Sequence, residues 1–307
     1  MKIATPYDDV HRTLVTDCKQ LMIPVVNEVF GENYTGSEEI ILLQNEVLLQ
    51  QQDTTGKRVQ DSSFLILTQQ GTRKCYHFEC QSTMDGNMIL RMYEYDSQSA
   101  LQRAIVTKDS LEITFPYSAI VYLRHNSSTP DAMEMMLHTP GGTISYAVPV
   151  IKVQNYTIEE IFEKKLYYLI PFHIFVYEHA FSFYEENTKQ LEEIFYDIRI
   201  RLEKDCVQGF LDEYTKSILI DMTKKVIRNV AKNYGKIKKR VGAVMGGQVL
   251  MHQAKYWMNK GISQGISQGM EQKQLEVLHR MLERGYTPEE AKEILGVDEE
   301  TWTTLQL

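Results

Sequence analysis

The sequence predicts an α/β (α+β) protein: a mixed sheet flanked by helices, followed by an all-helical C-terminal region. Three observations carry this. Residues 57–95 hold two short strand-like runs joined by a Gln-Gln-Gly turn and followed by an amphipathic helix. MEMMLHT and TISYAVPVIKV flank Pro-Gly-Gly, the pattern of a hairpin. From residue 157 onward almost every stretch reads with helical spacing.

Residues 6–30 read as a first helix. Pro6 lies near its start, Asp8 and Asp9 suit the positive N-terminal end, and Val10, Leu14, Leu21, Val25 and Val29 form a broken apolar stripe. Pro24 predicts a kink or division, and Gly31 a C-terminal stop. Residues 39–50 read as a helix or turn leading into a strand near 47–49, and QQDTTGKR as turn chemistry. Two strands follow, the first opened by Asp61 and the second closed by Glu79 and Gln81. A helix over 87–105, a strand over 118–125 and the hairpin come next. Thr157 and Glu160 form a capping box that starts the helical half, read as 158–181, 187–205, 210–234, 249–284 and two short tail helices. These readings divide the chain into a core over 1–155, a helical region over 156–248, and a long helix with a tail over 249–307. In the last segment Gly261, Gly265 and Gly269 share one helix face, which suits close self-association through the C-terminal helices or, alternatively, a flexible, frayed connector.

The second strand concentrates the chemistry. Strand side chains alternate with period two, so His77, Glu79 and Gln81 share one face and Tyr76, Phe78 and Cys80 the other. If the two strands pair, Asp61 approaches Glu79, and two carboxylates beside an amide suit a hard cation. Cys80 points to the apolar face and reads as an inert thiol.

DSSFLIL, HFECQS and ILRMYEYDSQSA resemble the recombination-promoting nuclease family, also called transposase-like, of the PD-(D/E)XK nuclease superfamily. YDDVHRTLVTDC, NEVFGENYTG, TPGGTISYAVPV and IEEIFEKKLYYLIPF extend the resemblance over about residues 7–180. It implies a nuclease-like core over 1–155 and metal-dependent endonucleolytic cleavage of DNA, linked to recombination or mobile elements. It implies Asp61, Glu79 and Gln81 as catalytic residues. Asp61, Glu79 and the main-chain carbonyl of Cys80 would hold Mg²⁺ or Mn²⁺. Glu28, His77 and Arg91 are further candidates, the last two as a proton-transfer aid and a phosphate contact. The chain departs from the superfamily at Gln81, where Lys is usual, and Gln cannot supply a point charge. The alternative is a core that has lost catalysis and serves as a DNA-binding or oligomeric interaction module.

The net charge of −8 argues against a protein that coats nucleic acid non-specifically. Its distribution is uneven. Residues 222–270 contain no Asp or Glu but ten Lys or Arg, so removing those ten charges from −8 leaves −18 on the remainder. Lys224, Lys225, Arg228, Lys232, Lys236, Lys238, Lys239 and Arg240 form a candidate phosphate-facing strip, continued by Lys255 and Lys260. A solvated face that balances the acidic remainder is the alternative. The four cysteines form no Cys-x-x-Cys pair, and MKIATPYDDV lacks an apolar signal region. Both predict a cytoplasmic protein. The run LYYLIPFHIFVY is too short to span a bilayer, so no membrane partner is expected.

Overall fold

The computed structural model describes residues 6–43, 46–51, 54–59, 62–68 and 71–246, with the side chains of 46–51 and 54–59 excepted. The chain divides into two compact units, Met1–Gly247 and Gln248–Leu307. The second unit lies outside the described residues, as do Asp61, Lys255, Lys260, the glycines at 261, 265 and 269, and the tail helices. The first unit joins what the sequence divides as 1–155 and 156–248.

Its entry segment is α1 (Pro6–Asp17), a 3₁₀ turn (Lys19–Leu21) and α2 (Met22–Phe30). The division falls just before Pro24, which occupies the first turn of α2 where its missing N–H costs nothing. Gly31 ends α2 at φ 66°, in the left-handed region that favours glycine. Then come β1 (Glu39–Leu42), β2 (Glu46–Gln51), β3 (Thr54–Val59), β4 (Ser62–Leu67) and β5 (Arg73–Gln81). Two expectations are corrected here. Residues 39–42 are a strand, paired antiparallel to β4 with Ile40 opposite Ile66 in the core. TTGKRV is also a strand, paired with β2 in a separate two-stranded sheet. Ile40 and Ile41 are β-branched and Ile40 turns into the core while Glu39 and Ile41 face out, which favours a strand over the helix or turn first read there.

The helix α3 (Met88–Gln102) crosses over to β6 (Ile105–Val106), β7 (Leu111–Glu112) and β8 (Tyr117–Tyr122); β9 (Ala132–Thr139) and β10 (Gly142–Lys152) form the predicted hairpin. The main sheet is mixed and six-stranded, in the order β1-β4-β5-β8-β10-β9. β5 pairs antiparallel with β4 and parallel with β8. β10 joins β8 only over Val150–Lys152, so the rest of the hairpin extends past the sheet.

Both faces of β5 are covered. Phe30 of α2 lies 5.4 Å from the Tyr76 ring and 5.9 Å from the Phe78 ring. On the opposite face α3 packs Met88 and Met92 against Ile120, Tyr122 and Val148. Alternation along β5 makes the His77 face the polar one. The helix closes it.

The helical half begins at α4 (Ile158–Glu163), started by the expected Thr157–Glu160 capping box. The helix read to 181 does not continue. Lys165 sits at φ 58° and Pro171 removes a backbone donor, so Tyr167–Ala180 runs as 3₁₀ turns. Next are α5 (Phe181–Glu186), α6 (Thr188–Val207), α7 (Glu213–Val230) and α8 (Gly235–Val244), the last not anticipated. Arg124, just past β8, fastens this half to the sheet. It makes two hydrogen bonds to Glu178, at 2.5 and 2.8 Å, and lies 4.5 Å from the centre of the Phe175 ring. No described helix is long and apolar enough to cross a membrane.

Candidate functional site

Period two along β5 places His77, Glu79 and Gln81 in a row beneath α3, and their side chains meet. Gln81 Nε2 donates to Glu79 Oε2 at 3.1 Å. His77 Nε2 faces Glu79 Oε1 at 3.4 Å. Arg91, in the first turn of α3, donates from Nη2 to Glu79 Oε2 at 3.3 Å and from Nη1 to Asp85 Oδ2 at 3.2 Å. Asp85 also accepts from the Asn87 backbone N–H, a turn that leads the chain into α3.

Behind this row lies a residue that the sequence reading missed. Asp96 of α3 is fully buried, and its Oδ1 is 2.7 Å from His77 Nδ1. Ionised carboxylates only accept, so an imidazole with a carboxylate at each nitrogen donates from both and is a cation. Burial by itself disfavours that charge, but the hydrogen bonds to Asp96 and Glu79 outweigh it and raise the His77 pKa to about 9. Three carboxylates, Glu79, Asp85 and Asp96, thus surround two cations, His77 and Arg91. Glu79 and His77 are fully buried, while Arg91 is 19% and Asp85 41% exposed. Solvent therefore reaches the cluster from the Arg91–Asp85 side.

A signal for Asp96 exists in the sequence. It sits four residues after Met92 and eight after Met88, on the stripe that α3 buries. A carboxylate on a helix's apolar stripe needs a partner inside.

The opposite face of the sheet carries a second buried histidine. His11 of α1 meets Tyr168 Oη at 2.6 Å through Nδ1 and Ser62 Oγ at 2.8 Å through Nε2. Ser62 Oγ donates to the Phe78 carbonyl and so accepts from His11 Nε2–H. This network ties α1 and the 3₁₀ stretch to the first residue of β4.

Other sequence candidates go elsewhere. Glu28 accepts from Lys164 at 2.7 Å, and no hydrogen bond among the described residues links it to the row. Cys80 is buried on the face opposite Glu79. All four cysteines are free thiols. Asp61 lies outside the described residues. The basic strip divides. Lys224 pairs with Asp221 at 3.1 Å, Lys225 with Asp9, Lys236 with Glu186 at 4.0 Å and Arg240 with Glu192 at 3.4 Å. Arg228, Lys232, Lys238 and Lys239 are exposed and in no ion pair among the described residues. Much of the strip therefore neutralises neighbouring helices.

Among the described residues no group of three His, Cys, Asp or Glu side chains could hold a metal ion. The donor chemistry nonetheless fits a hard cation in kind: Glu79 and Gln81 offer oxygens from one strand face, and the nitrogens of His77 are committed to carboxylates. A second carboxylate is required beside them. No protein family profile, no curated protein and no solved structure matches the chain.

Proposed function

We propose that the chain is a metal-dependent endonuclease acting on DNA, with a PD-(D/E)XK-like core and Glu79 at its centre. The observation that carries this reading is the buried charged row on the central strand β5, roofed by α3 and open at Arg91. An enclosed ionic cluster is weak evidence for stability, since apolar residues of the same volume serve a core as well or better. Its retention favours a functional role.

Asp61 precedes Ser62, and Ser62 pairs with Phe78, the residue before Glu79. On this reading Asp61 is the second carboxylate, and with Glu79 and the Cys80 carbonyl it holds Mg²⁺ or Mn²⁺. The bound cation lowers the pKa of a water and offsets charge on the phosphodiester. Gln81, already hydrogen-bonded to Glu79, orients the attacking water. Arg91, at the open side, meets a phosphate oxygen with its fork of donors. The exposed Arg228, Lys232, Lys238 and Lys239 offer sequence-independent contacts to the DNA backbone.

A second reading is favoured by one observation: Glu79 already accepts from Gln81 and Arg91 and faces His77. A carboxylate neutralised by its own protein suits a core that binds DNA or a second copy without cutting. Plasmid and single-strand nicking with Mg²⁺ or Mn²⁺ separates the two. Cleavage that disappears in chelator, in Asp61→Ala and in Glu79→Ala supports the nuclease. A folded wild type that never cuts supports the second reading, and cleavage that survives both substitutions puts the site elsewhere.

A further inference from the structure

The residues that touch Glu79 leave one question open: what holds Glu79 itself. Along β5 its neighbour His77 is anchored at Nδ1 by Asp96, at 2.7 Å, against 3.4 Å on the Glu79 side. The shorter contact fixes the ring; the longer one passes that orientation to Glu79 Oε1. Asp96 comes from α3, the same helix that supplies Arg91 to Glu79 Oε2. One helix therefore acts on both oxygens of the carboxylate, on Oε2 through a guanidinium beside Gln81 of β5 and on Oε1 through an imidazole. Asp96 is fully buried and its Oδ2 has no hydrogen-bond partner among the described residues. Burying a carboxylate with half its acceptor capacity unused is costly, and a core that needed only packing would not keep it.

We infer that Asp96 is a positioning residue for Glu79, acting through His77 from the far side of the ring. The inference rests on the nuclease reading, in which Glu79 is a cation ligand. Outer groups that orient a ligand in this way are typically worth about 10–100-fold in metal affinity or activity. Asp96 touches neither cation nor DNA in this scheme, so its effect falls on ligand geometry.

The test is Mn²⁺ titration calorimetry on the full chain, wild type against Asp96→Asn, with nicking kinetics and circular dichroism on the same samples. Asn preserves shape and an acceptor but removes the charge. The expected result is Mn²⁺ affinity lower by about 10–100-fold. kcat should fall in step, with KM for DNA unchanged and the fold retained. Should Asp96→Asn not fold, His77→Gln breaks the same chain at its middle and carries the same expectation. Equal Mn²⁺ affinity and equal kcat, with only a lower melting temperature, would overturn the inference and leave Asp96 a packing residue. Those outcomes presuppose a wild type that binds Mn²⁺ and cuts. A folded wild type that takes up no Mn²⁺ overturns the nuclease reading, and this inference with it.

Discussion

Two buried histidines, one under α3 and one in the helical half, are driven in opposite directions. His173 lies in the 3₁₀ stretch with Nε2 3.2 Å from Tyr177 Oη and, among the described residues, no partner at Nδ1. Burial pushes its pKa down to about 4. His77 is as deeply buried, yet two carboxylates carry it up to about 9. Depth alone therefore does not set the charge of a side chain here; the partners do. The helical half also buries charge, in Lys216 between Glu203 and Glu213 and in Asp205 beside Lys165, but the partners of those groups reach the surface; the sheet gathers three carboxylates and two cations around one strand beneath α3. That contrast is why the site is assigned to the sheet.

The largest effect expected is from Glu79→Leu. It leaves His77 and Arg91 without their shared partner, and breaking a buried charge group from one side costs about 3–5 kcal/mol. Urea unfolding would show it, and an effect under about 1 kcal/mol would mean that water already screens the cluster.

The histidines come next, through the pH dependence of stability. His77 has a folded pKa near 9 against 6.5 in the unfolded chain. Its contribution, of order 3 kcal/mol, is thus fully present below pH 6.5 and is lost as pH rises through 9. His173 is the reverse: its contribution is present above pH 6.5 and is lost as pH falls toward 4. His77→Gln should flatten the alkaline limb of the stability profile and His173→Gln the acidic limb. Matching profiles for the two variants would erase the comparison.

Smaller effects lie on the surface of the helical half. Lys238→Ala and Lys239→Ala should each reduce the salt slope of DNA binding by about 1, while Lys225→Ala, which loses a partner in Asp9, should leave it unchanged. Fluorescence anisotropy over a salt series reads this directly. Asp212 caps α7 by accepting from the Thr215 N–H at 2.9 Å. Asp212→Ala should lower stability by about 1 kcal/mol and leave cleavage intact.

What was legible in the sequence follows from local physics. Period two placed His77, Glu79 and Gln81 on one face, Gly31 marked a helix end, and Thr157 with Glu160 marked a helix start. Each signal spans a few residues. What was missed depends on contacts distant in the chain. The pairing of residues 39–42 as a strand needs β4, twenty-odd residues on. The burial of His77 and Glu79 needs α3 above them, and the role of Asp96 needs His77, nineteen residues earlier. The division of the basic strip was hidden for the same reason: its charges cluster in sequence, but the acidic partners of four of them lie on α1, α5 and α6 as well as beside them.

The central claim, that a divalent cation binds at Glu79, is most directly tested by Mn²⁺ titration of glutamine-labelled protein followed by nuclear magnetic resonance. Gln81 Nε2 donates to Glu79, so its side-chain amide signal, identified by its loss in Gln81→Ala, reports on this point. The account predicts that substoichiometric Mn²⁺ broadens that signal first and that Glu79→Gln abolishes the effect. A sharp Gln81 signal in a protein that binds Mn²⁺ and cuts DNA would contradict it and move the site off β5.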